Sequence, residues 1–227
     1  MSEKPILFST EMVKAIYDDR KTKTRRVIKF KFLPGFNPEW SGYRPVFEYG
    51  KFFLDGSNHR TATTEVKCPW QVGDILWVRE TWQSFFPEEV TSNHQQGPRS
   101  FSGIPAESAK GHYMHFYYRA DGEIEKAGWL PSIHMPRAAA RLFLKVTNVR
   151  VERLQDITEE DAKDEGVKDP YDYQRSDYYE QPCMGGLGIN QSAFAGLWDS
   201  LYTKRGYGWD VNPWVWVMEF ERMEAKS

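Results

Sequence analysis

Hydrophobic and polar positions alternate most regularly in the segment RLFLKVTNVRVER, residues 141–153. Leu142, Leu144 and Val146 occupy every second position, as in a strand that buries one face. The alternation resumes in the opposite phase after Asn148, and a β-bulge at that residue would explain the change. The pattern therefore predicts one long strand over 141–153.

Shorter segments that are rich in β-branched, aromatic or continuous apolar residues predict the other strands. They cover 5–9, 24–30, 75–82, 112–121 and 213–223. The first half of the last segment is apolar enough to predict a buried strand.

Apolar residues recur at helical spacing in three short segments. Ser9 or Thr10 can cap the first helix. Thr158 and Asp161 have the spacing of a capping box at the start of the second helix, and Gly166 marks its end. The third helix covers 189–203 and is expected to bury Phe194, Leu197, Trp198 and Leu201.

Strands outnumber helices, and the helices occur singly between strands, so the predicted class is α+β with a mainly antiparallel or barrel-like sheet. The segments 31–69, 83–138 and 168–188 are interpreted as insertions, the first as a long ordered loop or a small hairpin. No repeat or linker divides the chain. One domain over 1–227 is therefore expected.

Composition limits the function classes. The chain has 227 residues, 40% of them hydrophobic, and a formal net charge of −2, so any attraction to nucleic acid must be local. The two cysteines, Cys68 and Cys183, are too few for a disulfide framework or a zinc site, which favours a reducing cytoplasm. No apolar run has the length of a membrane span, and the start lacks signal-peptide features, so neither secretion nor a membrane partner is expected.

The segment DRKTKTRRVIKF, residues 19–30, contains six basic side chains. Lys21, Thr24 and Arg26 have the spacing K-x-x-T-x-R. Positions 24 and 26 share one face of the predicted strand and Lys21 lies in the preceding turn, so the three side chains could converge on one pocket. The residues alone leave three interpretations open: a solvated basic turn, a phosphate-binding patch or an active site.

Other candidate binding residues lie further along the chain. Arg79 and Glu80 are adjacent on a predicted strand and point to opposite faces, so one of them is expected to enter the pocket. His134 is either a substrate-binding residue or a structural histidine. His112 and His115 lack cysteine or acidic partners, and no metal or other cofactor is predicted.

The basic segment resembles the G-x-K-x-x-T-x-R signature of the ASCH domain, a PUA-like β-barrel family associated with RNA, with Asp19 in place of the glycine. GDILWV resembles the second strand of that family, LQDITEEDAKDEG resembles the helix that carries its acidic residue, and VWVMEF resembles its last strand. WVRETW and SIHMPR resemble longer members that phages and prophages encode. The resemblance covers about half of the chain and implies a PUA-like mixed β-barrel with short flanking helices and long loop insertions.

Compact members of this family hydrolyse N4-acetylcytidine to cytidine and acetate with a Lys, a Thr and a Glu. The resemblance implies Lys21, Thr24 and Glu165 for these roles. The threonine attacks, a lysine with a lowered pKa takes its proton, and the glutamate orients or protonates the leaving amine. Arg26, Arg79, Glu80 and His134 are the candidate substrate-binding residues.

The alternative is an RNA-binding module, with or without RNA cleavage, in which the same Lys and Arg residues hold phosphates. In that case Lys23 and Arg25, which alternate with Thr24 and Arg26, are expected to contact RNA. A local basic patch keeps this alternative open, whereas the near-zero net charge and the abundant aromatic residues favour a nucleoside substrate.

Overall fold

The computed structural model describes residues 2–29, 44–48, 51–55, 64–85, 105–107, 113–123, 128–168 and 186–223. The elements of these ranges, in chain order, are β1 (Glu3–Leu7), α1 (Thr10–Tyr17), β2 (Lys23–Val27), β3 (Arg44–Glu48), β4 (Lys51–Asp55), β5 (Thr64–Val66), β6 (Ile75–Arg79), β7 (Trp82–Phe85), β8 (Pro105–Glu107), β9 (Tyr113–Tyr118), β10 (Phe143–Arg153), α2 (Glu159–Asp164), α3 (Ile189–Tyr202) and β11 (Trp214–Arg222).

The strands form three sheets. β1, β6, β10, β11 and β2 are hydrogen-bonded in that order. β1 is parallel to β6, whereas β10 is antiparallel to β6 and β11 is antiparallel to β2. β3-β4-β5 and β7-β9-β8 are antiparallel three-stranded sheets. The predicted α+β class is confirmed, and no closed barrel is found among the described strands.

The chain divides into two compact units. The first comprises Met1–Asp19, Gly73–Lys145 and Glu221–Ser227, and the second comprises Arg20–Val72 and Val146–Phe220. The expectation of one domain over 1–227 stays a prediction.

The first unit contains α1 and the strands β1 and β6 to β9. Ser9 caps α1, as predicted, because its hydroxyl accepts a hydrogen bond from the Met12 amide at 3.3 Å. Leu76 lies opposite Leu144 in the register of β6 and β10, and both side chains are buried. A second apolar cluster in this unit consists of Trp82, Phe116, Tyr118, Met135, Ala139 and Ala140.

The second unit has apolar residues on both faces of β11, as its continuous apolar sequence predicts. Val215 and Val217 belong to a cluster that includes Phe194 and Trp198 of α3. Trp216, which lies between these two valines, packs instead with Ile28 and Phe52.

Several boundaries differ from the predictions. The expected strand over 75–82 is two strands, because β6 ends at Arg79 and β7 begins at Trp82. In β10 the two consecutive exposed residues Thr147 and Asn148 mark the predicted change of phase. Leu201 is 39% exposed, so its predicted burial is wrong.

The insertions are described only in part. The first insertion contains the three-stranded sheet β3-β4-β5, and its β3-β4 pair is the hairpin that one interpretation expected. Residues 31–43, 49–50, 56–63, 86–104, 108–112, 124–127 and 169–185 of the predicted insertions, which include His112, lie outside the described residues.

The helix α2 is fixed at both ends. The Thr158 hydroxyl accepts a hydrogen bond from the Asp161 amide at 3.0 Å, and Gly166 follows the helix with φ of 79°. This left-handed backbone explains why a glycine is favoured at this position. The Glu159 carboxylate accepts hydrogen bonds from the backbone amides of Asn190 and Gln191, which ties the start of α2 to the start of α3.

None of the described helices has the length and apolar character needed to cross a membrane.

Candidate active site

The buried lysine at the start of β2 is the centre of the candidate site. Lys21 forms an isolated antiparallel bridge with Glu165, the residue that caps the end of α2. Its Nζ donates hydrogen bonds to Glu165 Oε2 at 2.7 Å, to the Glu165 carbonyl oxygen at 2.7 Å and to the Lys23 carbonyl oxygen at 2.8 Å. Lys21 is only 2% exposed. Since a lysine ammonium has three N–H groups, each of them has an acceptor inside the protein.

The turn between α1 and β2 positions Lys21 next to Glu165. Asp18 caps the end of α1, and Asp19 follows in the left-handed backbone region with φ of 55°. Aspartate is one of the few residues other than glycine that adopts this conformation readily. The Thr22 amide then donates a hydrogen bond to the Asp164 carbonyl at 2.9 Å, which holds the turn against the end of α2.

Thr24 and Arg26 share one face of β2, as predicted. In the register with β11, Thr24 lies opposite Met218 and Arg26 lies opposite Trp216. Thr24 is buried and Arg26 is half-buried. The carbonyl that accepts from Lys21 Nζ belongs to the peptide bond leading into Thr24, so the ammonium lies beside the Thr24 main chain. Within the described residues the Thr24 hydroxyl makes no hydrogen bond.

Arg25 points to the opposite face of β2, and its side chain is completely buried. Its guanidinium contacts three carboxylates. Nε donates to Glu152 Oε1 at 2.9 Å, Nη2 to Asp161 Oδ2 at 2.8 Å, and Nη1 to Glu165 Oε1 at 3.2 Å. The two oxygens of Glu165 are therefore divided between Arg25 and Lys21.

Two further cations complete this buried ion cluster, which we call the Glu165 cluster. Lys23 Nζ lies 2.6 Å from Asp161 Oδ1 and 3.0 Å from Asp164 Oδ2. Arg150 binds Glu152, Asp161 and Glu219. Lys21, Lys23 and Arg25 are thus paired internally, which excludes a solvated basic turn for these three side chains. The expectation that Arg25 contacts RNA is wrong, because Arg25 is only 2% exposed.

Burial and the neighbouring charges shift the pKa values of Lys21 and Asp161 in this cluster. Burial lowers the pKa of Lys21 below its ordinary 10.5, while the charge of Glu165 and its hydrogen bond oppose this shift. Burial alone would raise the pKa of Asp161, but the hydrogen bond from Lys23 and the charges of Arg25 and Arg150 hold that pKa below 3.8. The cluster therefore contains a lysine that releases its proton more readily than usual.

Glu80, another sequence candidate, lies in the first unit and faces its interior. It is 1% exposed, and its two oxygens accept hydrogen bonds from Nε and Nη2 of Arg141, each at 3.0 Å. Arg141 Nη1 also binds the Asp121 carboxylate at 2.6 and 2.8 Å. Of the two neighbours Glu80 is therefore the buried one, and its carboxylate is paired with an arginine; that either of them enters a substrate pocket stays a prediction.

Arg79 and His134 also lie in the first unit. The Arg79 guanidinium donates a hydrogen bond to the Ile133 carbonyl and lies 5.5 Å from the centre of the Trp77 ring. His134, the next residue, is exposed in a single helical turn. The structure thus brings Lys21, Thr24, Arg26 and Glu165 into the second unit and groups Arg79 with His134 in the first.

Sequence reasoning missed Arg25, Arg150, Glu152 and Asp161 as members of the cluster. One signal was present: the basic residues Lys21, Lys23 and Arg25 follow at every second position from the turn into the predicted strand, and the acidic run ITEEDAKDEG supplies many carboxylates. A basic strand face and an acidic helix of the same domain are complementary, and burial against each other is one way to satisfy both.

Comparison with known proteins gives no match, whether the chain is compared with family models, with curated proteins or with solved structures. Among the described residues, no group of three or more His, Cys, Asp or Glu side chains is placed to hold a metal ion.

Proposed function

We propose that the protein is an amidohydrolase that removes the acetyl group from N4-acetylcytidine or a related acylated cytosine nucleoside. The observation that carries the proposal is the 2.7 Å hydrogen bond between the buried Lys21 ammonium and Glu165, residues 144 positions apart in the chain. The Lys21 ammonium lies beside the Glu165 carboxylate and the Thr24 main chain, and these three residue types supply the base, the acid and the nucleophile of the proposed amide hydrolysis.

The ASCH resemblance supports the same assignment. Its signature has glycine where this chain has Asp19, and Asp19 adopts the left-handed backbone that glycine favours. The substitution is therefore compatible with the turn that places the lysine. We extend the proposal to a PUA-like barrel fold and to a cytoplasmic location, the compartment that the low cysteine content favours.

The first chemical step forms an acyl-enzyme. Lys21 passes a proton to Glu165 Oε2 and becomes a neutral amine. It then accepts the hydroxyl proton of Thr24 while Thr24 Oγ1 bonds to the acetyl carbonyl carbon. The bond between that carbon and N4 of cytosine breaks, N4 takes the proton from Glu165, and cytidine leaves with an amino group. Thr24 now carries the acetyl group as an ester.

The second step releases acetate by the same groups. Lys21 again passes a proton to Glu165 and accepts one from water, whose oxygen bonds to the ester carbonyl carbon. The carbon–oxygen bond to Thr24 breaks, and Thr24 recovers its hydroxyl proton from Glu165. We assign to Arg26, which shares one face of β2 with Thr24, the stabilisation of the negative oxygen that forms in both steps.

The internal pairing of the basic segment favours a small substrate over RNA. A phosphate-binding patch needs cations that exchange counterions with solvent, but Lys21, Lys23 and Arg25 are engaged with carboxylates of the same unit. Such side chains contribute little to a salt-dependent association.

Incubation of the purified protein with N4-acetylcytidine, followed by chromatography of the nucleosides, tests the proposal. Wild type should release cytidine, and Lys21→Ala and Thr24→Ala should each reduce the rate by roughly 10²–10⁴-fold. Glu165→Gln should fail as well, since it keeps the shape of the side chain but cannot accept the proton.

Thr24→Ser is the matched control, because it retains a hydroxyl and should keep substantial activity if that oxygen attacks the substrate. Wild-type protein that leaves N4-acetylcytidine and its acyl analogues unchanged would overturn the assignment. Salt-dependent binding of single-stranded RNA by that inactive protein would instead favour the RNA-binding alternative.

A further inference from the structure

The carboxylate of Glu165 is held from two sides. Oε2 accepts a hydrogen bond from Lys21 Nζ at 2.7 Å, and Oε1 accepts one from Arg25 Nη1 at 3.2 Å. No part of the Arg25 side chain is exposed. An arginine in this position has no access to bulk solvent, so its effect on chemistry must pass through the groups that it touches.

We propose that Arg25 is the positioning residue of the site: it fixes the Glu165 carboxylate so that Oε2 remains on Lys21 Nζ. This inference rests on the proposed function for its consequence in catalysis, whereas the arrangement itself can be tested without activity. The ASCH-like spacing K-x-x-T-x-R does not include Arg25, which lies between its threonine and its arginine.

The geometry of the guanidinium supports this role. Its planar fork binds Glu152 through Nε, Asp161 through Nη2 and Glu165 through Nη1. The first two carboxylates come from β10 and α2, so they fix the plane of the fork, and the remaining nitrogen can hold Glu165 in only one orientation. A lysine at the same place would offer a single point charge.

Arg150 provides a matched control within the same cluster. It binds Glu152 and Asp161, as Arg25 does, but its remaining contact is with Glu219 and not with Glu165. A substitution of Arg150 therefore disturbs the shared carboxylates and leaves both contacts of Glu165 in place.

The experiment compares Arg25→Lys with Arg150→Lys. In Arg25→Lys we expect kcat for N4-acetylcytidine to fall by roughly 10²-fold through misplacement of Glu165, with KM unchanged because Arg25 does not touch substrate. In Arg150→Lys, which disturbs the shared carboxylates but neither contact of Glu165, the loss of kcat should be much smaller than in Arg25→Lys, with KM unchanged. Equal losses of kcat in the two variants, or a wild-type kcat in Arg25→Lys, would overturn the inference.

A spectroscopic measurement separates this inference from the proposed function. The ¹⁵Nζ–H signal of Lys21 should be slow in hydrogen exchange in wild type and in Arg150→Lys, and exchange-broadened in Arg25→Lys. An unchanged Lys21 signal in Arg25→Lys would overturn the positioning role even if the wild type proves inactive on acylated cytidines.

Glu152→Gln is the second variant if Arg25→Lys fails to fold. It keeps Arg25 but weakens the anchor of its fork, so a smaller loss of kcat and partial broadening of the Lys21 signal are expected. Absence of both effects in folded Glu152→Gln would contradict the inference.

Discussion

Each unit of the molecule buries a glutamate beside an arginine, but the two clusters differ in what else they contain. In the second unit Glu165 is shared between Arg25 and Lys21. In the first unit both oxygens of Glu80 bind Arg141 alone. Lys21 and Glu165 can exchange a proton, whereas Arg141 and Glu80 cannot.

Arg141 is enclosed by aromatic rings as well as by carboxylates. Its guanidinium carbon lies 3.8 Å from the centre of the Tyr118 ring and 5.3 Å from that of Tyr17. Burial raises the pKa of Glu80, while the hydrogen bonds and the charge of Arg141 oppose this shift. Since arginine does not deprotonate in proteins, Arg141 and Glu80 cannot exchange a proton as Lys21 and Glu165 can, and we interpret this cluster as structural.

The Glu165 cluster contains a lysine, whose ammonium can lose a proton and leave an amine that serves as a base. Burial lowers the pKa of the Lys21 ammonium, whose acceptor is a carboxylate. In the proposed mechanism, two buried ion clusters of similar composition have different roles, because only one of them contains a lysine.

The largest expected effect is on activity, in Lys21→Met. This substitution keeps much of the side-chain volume and leaves Glu165 paired with Arg25, so the protein should still fold. The rate of cytidine release should fall by roughly 10²–10⁴-fold, because no base remains for Thr24. Circular dichroism checks the fold, and near-wild-type turnover would show that Lys21 is only structural.

The second effect is on stability, in Arg141→Met. Removing one partner of a buried ion pair typically costs about 3–5 kcal/mol, because the other charge remains buried and unpaired. Urea unfolding followed by tryptophan fluorescence measures this loss.

The double variant Glu80→Leu with Arg141→Met sharpens this result. Replacing both charges by apolar groups should recover most of the lost stability, and turnover of the folded fraction should equal that of wild type. A loss of turnover in the double variant would mean that the Glu80 cluster also serves the chemistry.

A third effect concerns Asp161 and pH. Because the folded-state pKa of Asp161 lies below the 3.8 of an unperturbed aspartate, its contribution to stability is full above that value and is lost as pH falls through the lowered pKa. Asp161→Asn should lower the free energy of unfolding by about 1–3 kcal/mol near neutral pH. The difference from wild type should shrink in acid, and a pH-independent difference would contradict the ion-pair explanation.

The smallest effect is expected at Asp19, in the turn that leads to Lys21. Asp19→Gly relieves a left-handed conformation at φ of 55°, so the free energy of unfolding should rise by up to about 1 kcal/mol. Activity should be unchanged. Asp19→Val should lower stability instead, and equal stability of both variants would argue against strain at this residue.

Part of the site could be predicted from sequence because it depends on local geometry. Alternation along a strand placed Thr24 and Arg26 on one face, and the turn before the strand allowed Lys21 to reach a partner. The pairing of Lys21 with Glu165 spans 144 positions, and only the motif resemblance suggested it. Local patterns carry no information on which distant carboxylate a buried cation will meet.

The same limit explains why the burial and ion pairing of Arg25 were not predicted. Charged side chains are almost never fully buried unless they are paired, so the sequence of a basic segment by itself favours solvent-facing side chains. Burial became possible because Glu152 and Asp161 approach from two other elements. For Glu80, the break between β6 and β7 could not be predicted from the apolar run ILWVRETW, although the burial of one of two neighbouring charged residues was expected.

The titration of Lys21 is the most direct test of whether this residue can act as a base. Its ¹⁵Nζ chemical shift can be followed against pH in wild type, with the Lys21→Met spectrum used for assignment. We expect Lys21 to lose its proton at a pH below the ordinary 10.5 of a lysine. An ammonium signal that persists to pH 10.5 and above would contradict it, because Lys21 would then be a structural cation, like Arg141.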